Sequence, residues 1–205
     1  PSSPPSKITV AVLPEKATRH NAAFQPHALT ALVRGAAGGK GPLHLVVVLQ
    51  AAKDVAPLAV AVAKAFPLFS LKSAAPDEEG GGAAREVSVA FVVGDTGEVV
   101  ADEGVLETAR ISADAVRMCA RLVDTPPEEM NVPQVRQEAE AVASKSGQVT
   151  FTAIQGEELR DLGYGGLWGV GKAATHPPCL VELKYKPKGG SKGRSVCLVG
   201  KGIVY

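Results

Sequence analysis

The chain reads as an α/β protein, and three observations carry that reading. Short β-branched runs alternate with segments of helical period, the opening elements run strand, helix, strand, helix, and a long amphipathic stretch separates two such regions. The expected architecture is an N-terminal α/β domain, a long linker helix, and the incomplete start of a second α/β domain.

Lys7–Leu13 (KITVAVL) and His44–Leu49 (HLVVVL) have the composition of strands, and Pro26–Arg34 and Val55–Phe66 that of helices. Ala74–Ala84 (AAPDEEGGGAA) is polar and glycine-rich, as an exposed loop is. Arg85–Val93 resumes a β-branched run; Gly94, Asp95 and Gly97 supply turn residues before a second short extended run, Glu98–Ala101. From Glu103 to Asp124 the period is helical, with Leu106, Ala109, Ala113, Val116, Ala120 and Val123 on one face at three- and four-residue spacing. Thr125-Pro126-Pro127 ends that helix, because a residue before proline avoids the α region and proline has no N–H to give.

Beyond the prolines, Pro133–Ser144 is a helix capped by Asn131 and closed by Gly147. Val149–Ile154 is a strand, Glu157–Leu162 a short helix with Gly163 at its stop, and Gly163–Pro178 an extended glycine-rich loop. Leu180–Tyr185 and Ser195–Val199 are two more strands joined by a basic turn, and the apolar run Val196–Val199 is expected as a buried central strand. A long helix ending in two prolines is a natural link between domains. The expected division is therefore 1–107, a linker at 108–127, and 128–205. Three strands and two helices make a thin core, so the second domain is expected to be incomplete. A first residue of Pro1 rather than Met gives the expectation of a processed or fragmentary end there too.

A hydrophobic fraction of 45% over 205 residues supports a real core. With 22 Lys and Arg against 21 Asp and Glu, the net charge of +1 provides no global field for nucleic acid or an anionic membrane, and neither partner is expected. No apolar stretch, Leu45–Leu49 included, is long enough to cross a bilayer, and PSSPPS at the start has neither the basic nor the apolar region of a secretory signal. Cys119, Cys179 and Cys197 are odd in number and widely spaced, which argues against a disulfide framework or zinc knuckle and for a reducing, cytoplasmic setting. Their places on an apolar helix face and on strands suggest buried, inert thiols.

Gly166-Leu167-Trp168-Gly169-Val170-Gly171-Lys172 has the spacing of a phosphate-binding loop, but Ala173 stands where a magnesium-binding hydroxyl belongs and the segment does not leave a strand. A backbone-flexible packing loop is the better reading. Lys184, Lys186, Lys188, Lys192 and Arg194 have one aromatic neighbour, Tyr185, and read as a solvated hairpin tip. His20, His27, His44 and His176 lack zincin spacing and read as surface or core-edge residues, and no G-x-S-x-G elbow occurs. Lys201, between two glycines, would by itself be a surface turn residue.

Three blocks change that. Ala120–Pro133 (ARLVDTPPEEMNVP), Glu157–Pro178 (EELRDLGYGGLWGVGKAATHPP) and Val196–Tyr205 (VCLVGKGIVY) resemble, in order and spacing, the cytosol (leucyl) aminopeptidase family of metallopeptidases. The resemblance spans 120–205 and is looser over the first hundred residues, where that family has a variable α/β domain of macro-like topology. It implies a hydrolase that removes N-terminal residues from peptide substrates using two divalent metal ions, zinc or manganese. It also implies a homo-oligomer, a hexamer with its catalytic domains at the centre.

The family's V-G-K-G lysine is a ligand of one catalytic metal ion, and the matching residue is Lys201. Paired ions of this kind polarise a carbonyl and generate hydroxide at neutral pH. Lysine ligates only as the neutral amine, so the metal must displace its proton. The family's carboxylate ligands, second catalytic lysine and bicarbonate-binding arginine all follow the position that matches Tyr205. One amine cannot hold two dications, so this chain alone is expected to be inactive and to bind no metal stably. The alternative is a truncated non-catalytic isoform or pseudoenzyme acting in oligomer assembly or binding. A free-standing macro-like nucleotide-binding module over 7–107 has only topology behind it.

Overall fold

A computed structural model describes residues 7–16, 18, 20, 22, 24–39, 41–69, 85–190 and 193–204. The chain divides into two units, Pro1–Arg121 and Leu122–Tyr205. The glycine-rich stretch expected as a loop at 74–84 lies outside the described residues, as do Lys192 and Tyr205.

In the first unit, α1 (Pro26–Ala36) leads to β1 (Leu43–Leu49), and a single 3-10 turn leads into α2 (Val55–Ala63). β2 (Val87–Val93) then pairs parallel to β1 in the register Leu43↔Val87 to Leu49↔Val93. This is a βαβ unit with α2 as its crossover. Alternation along β1 decides which face is covered: Val47 and Leu49 are buried while Val46 and Val48 are exposed. The buried set joins Val33 of α1, Val55, Leu58 and Val62 of α2, and Phe91 of β2 in one apolar core. Thr30 of α1 ties the two helices together, its Oγ1 donating to the Ala61 carbonyl at 2.7 Å.

α3 (Glu103–Asp124) has the bounds the sequence predicts, with Asp102 Oδ1 accepting from the Val105 N–H at 2.9 Å. Its buried line differs slightly from the expected one. Ala109 enters the core with Val105 packed beside it, but Leu106 and Val123 are exposed. Arg117 donates from Nε to the Phe66 carbonyl at 3.0 Å, closing the end of the segment after α2.

The second unit holds α4 (Val132–Ser144), β3 (Val149–Gln155), α5 (Glu157–Asp161), α6 (Gly165–Gly171) and β4 (Cys179–Tyr185). Asn131 caps α4 as expected, its side chain accepting from the Gln134 N–H at 3.2 Å. β3 and β4 pair antiparallel from Val149↔Tyr185 to Gln155↔Cys179, and α4 packs on both.

Four expectations are corrected. Lys7–Leu13 is in no strand, Glu98–Ala101 contributes one isolated bridge, Val92↔Val99, and Ser195–Val199 is irregular with Leu198 and Val199 each 93% exposed. A strand exists only where a neighbour takes its backbone groups, and among the described residues these runs have no such neighbour beyond the one bridge. The fourth correction is 163–178, which holds helix α6 rather than running as an extended loop.

Candidate functional site

The first of the three sequence blocks covers the end of α3, a turn and the start of α4. The Glu129 and Met130 N–H groups both donate to the Pro126 carbonyl, at 3.0 and 2.8 Å, so the double proline sets up a tight turn. Met130 is buried at its end and Asn131 begins the next helix. The block redirects the chain.

The second block is a helical hairpin. α5 stops at Gly163, whose φ of +89° is open to glycine at little cost, and the Tyr164 N–H reaches back to the Leu159 carbonyl at 2.7 Å. Leu159 is fully buried beneath the turn. Arg160 lies over the Trp168 ring at 5.8 Å from its centroid, joining α5 to α6. The Asp161 carboxylate bonds the Arg160 guanidinium at 2.9 Å, and this, with Glu157, stabilises its charged form further. At the far end of α6, Gly171 meets Pro178 so closely that an added Cβ would lie 2.4 Å from the proline Cβ. Because the segment from Gly166 to Gly171 is helical, its glycines form no phosphate cradle, which is the structural reason the G-x-x-x-x-G-K spacing is fortuitous.

The third block carries Lys201, and the structure places that side chain exposed in the irregular stretch 193–204. No group of three His, Cys, Asp or Glu that could hold a metal occurs among the described residues. The described residues therefore do not by themselves assemble a two-metal centre. His44 is on the open face of β1, where its Nδ1 and the Ser88 Oγ are 2.5 Å apart across the strand pair, and His27 and His176 are exposed. Lys184 is engaged by Glu182 at 3.4 Å, while the Lys186 N–H donates to the Gln148 carbonyl and the Lys188 N–H to the Gln148 side-chain Oε1.

The cysteines differ from expectation. Cys119 and Cys197 are exposed and Cys179 is half-buried. Cys119 is exposed because the buried line of α3 passes it by, and Cys197 because its segment is not a strand. Burial pushes the Cys179 thiol up from its ordinary range, an effect the Arg136 charge partly opposes.

Sequence reasoning did not find Gln25. It is buried at the start of α1 in the left-handed region, φ 41°, and its side-chain amide donates to the Pro14 and Lys16 carbonyls at 2.6 and 3.2 Å. Its sequence signal is slight: a glutamine just before proline at a helix start. Also unforeseen is a groove of about 740 Å³ between α1 and α2, lined by Thr30, Arg34, Pro57, Val60, Lys64 and Ser112.

Two family descriptions match the chain in the order of its units: the M17 aminopeptidase N-terminal domain 2 over residues 3–75, and the catalytic domain of the cytosol aminopeptidase family over residues 117–205. The chain belongs to the cytosol aminopeptidase family. A human protein named probable aminopeptidase NPEPL1 is 38% identical over 202 residues, an overlap of 96% of this chain and 36% of that protein. The structure of Caenorhabditis elegans leucine aminopeptidase superimposes with a TM-score of 0.70 at 28% identity, covering 86% of this chain and 34% of that one. An M17 aminopeptidase from Trypanosoma brucei gives a TM-score of 0.69 at 33% identity, over 86% and 33% of the two chains. The chain thus spans about a third of the length of the curated relatives it matches first, 36%. All three sequence blocks fall within or at the edge of the catalytic-domain match, and Lys201 lies inside it.

Proposed function

We propose that these residues are the N-terminal portion and the opening of the catalytic domain of a metal-dependent aminopeptidase that removes N-terminal residues from peptides. The observation that carries the reading is the order of the two family matches, with the catalytic one running through Lys201. Lys201 is assigned as a single ligand in a centre of two divalent ions, zinc or manganese, when that centre is complete. Its flanking glycines leave room for other groups to approach, and its exposed place obstructs nothing. One amine cannot hold two dications, so on this reading the 205-residue chain alone is expected to hold no such centre and to turn over no peptide.

The same reading places the protein in the cytoplasm as a homo-oligomer, a hexamer by family likeness, and divides it into 1–107, a linker at 108–127, and 128–205. No helix among the described residues is long and apolar enough to cross a membrane. The test compares the 205-residue chain with a polypeptide of the relatives' length that contains it, both assayed on leucyl amide substrates with added manganese or zinc. The longer protein should show metal-dependent turnover that Lys201→Ala abolishes, and the short chain none. Turnover by the short chain would refute its assigned inactivity. An inactive longer protein that still assembles would instead favour the non-catalytic reading.

A further inference from the structure

We propose that the groove between α1 and α2 binds a small organic anion with an extended apolar body, an alkyl or aryl carboxylate, whose charged end is held by Arg34 and Lys64. The groove lies within the first unit, and its volume of about 740 Å³ is that of a small-molecule pocket.

The two helices run the same way. Thr30 donates to the Ala61 carbonyl and Arg34, one turn later, donates from Nη2 to the Lys64 carbonyl at 3.0 Å, so the ties step along both helices together. The groove therefore has two chemically different ends. At the C-terminal end Arg34 and Lys64 are exposed, and Arg117 of α3 sits beside them on the Phe66 carbonyl. No Asp or Glu among the described residues pairs with any of these three cations, and none lines the groove. Each guanidinium gives one N–H to a carbonyl and keeps others to donate. The carbonyl ends of α1 and α2 oppose an anion here, but at about half a charge each they are outweighed by three full positive charges.

The walls decide the rest of the ligand. Val60 is half-buried on the groove without joining the apolar core, and Ala31 and Pro57 line it too. The two hydroxyls on the wall have already given their protons, Thr30 Oγ1 to the Ala61 carbonyl and Ser112 Oγ to that of Thr108, at 2.7 Å each. A bound peptide would bring carbonyls along its whole length that this wall cannot satisfy, whereas an alkyl or aryl body brings none. The only other polar side chain, His27, is two turns before Arg34 at the opposite mouth. The eleven residues of α1 make it about 16 Å long, which suits an extended chain with a single charged head.

Titration of the 205-residue chain with decanoate below its micelle concentration, followed residue by residue in amide NMR spectra, tests this. Saturable shifts should concentrate on 27–34 and 56–64. Decanol, with the same chain and no charge, should bind at least about tenfold more weakly, and Lys64→Glu should weaken decanoate to a similar degree. Ala31→Phe, which fills the groove, should remove binding. Both substituted positions are exposed, and unchanged β1 and β2 amide signals show that the unit still folds. Absence of saturable shifts, equal binding of decanol and decanoate, or shifts centred on Val46 and Val48 at the open face of β1 would overturn the proposal. So would binding to phosphatidylglycerol vesicles without binding of free decanoate, which assigns the cations to a membrane surface. Shifts at the groove that follow protein concentration in the absence of decanoate would also overturn it, since they assign the groove to a second copy.

Discussion

The two units bury their strands by different means. In the first, a parallel pair is covered on one face by helices whose apolar side chains converge on it, and Val55, Leu58, Val62, Val47, Leu49 and Phe91 form a continuous core. In the second, an antiparallel pair has Met130, Ala143, Leu159 and Pro178 as its buried apolar residues among the described ones, of which Leu159 is fully buried. Its shape depends instead on backbone devices: the Asn131 cap, the Gly163 stop and the approach of Gly171 to Pro178. A parallel pair cannot be closed by a tight turn and has to recruit a helix, so a side-chain core comes with its topology. An antiparallel pair escapes that demand and can be shaped by turns and caps.

The contrast breaks most sharply at the two core types. Leu58→Ala empties the middle of the first unit, where the side chain is 1% exposed, and should cost about 2–5 kcal/mol. Urea unfolding monitored by the exchange of β1 and β2 amides measures it. A loss below about 1 kcal/mol would mean that the helices do not hold this sheet by packing.

Next comes a pair of glycines within one helix. Gly171→Ala drives a methyl into Pro178 at 2.4 Å from its Cβ and should cost about 1–3 kcal/mol by overpacking. Gly169→Ala, in open space mid-helix, should instead stabilise α6 by about 0.5–1 kcal/mol. Thermal unfolding of the two variants should therefore shift in opposite directions. A shared sign would dismiss the close approach at Pro178 as the device that seats α6. A smaller effect is expected of Asn131→Ala, which removes the cap of α4 at a cost of about 1 kcal/mol, readable as faster exchange of the Gln134 amide.

The same contrast explains which parts were legible in the sequence. Signals that are local survived: the full length of α3, the Asn131 cap, the Gly163 stop and the strand composition of β1 all follow from neighbours in the chain. Signals that need a distant partner did not. Lys7–Leu13 and Ser195–Val199 look like strands in composition, yet strand formation is settled by an adjacent edge that sequence does not reveal. α6 was illegible for the opposite reason. Gly165, Gly166, Gly169 and Gly171 argue against a helix by propensity, while tertiary contact through Trp168 under Arg160 and Gly171 against Pro178 overrides it. At the candidate site, Lys201 was legible only through its family block. Nothing in its own surroundings in this structure marks it as a ligand.

The smallest predicted effect lies on α3, away from either core. Arg110 holds the Glu107 carboxylate through two bonds at 2.8 Å and reaches Asp114 at 3.1 Å, all on the exposed helix surface. The side-chain bond from Arg110 is the largest cause and keeps the Glu107 carboxyl below its ordinary range; desolvation opposes it, and the charge of Arg110 adds a lesser lowering. A carboxyl depressed in the folded state favours folding above its unfolded pKa of about 4.3 and loses that contribution as the pH falls through the folded value. The group is fully exposed, so water and salt screen the pair and little stability rests on it. The clean readout is therefore the titration itself. In a pH series followed by the Glu107 side-chain carbon resonance, Arg110→Ala should move the midpoint upward towards that of a free glutamate, and added salt should move the unaltered protein the same way. A midpoint indifferent to both changes would mean that the Arg110 bonds on this face are not maintained in solution.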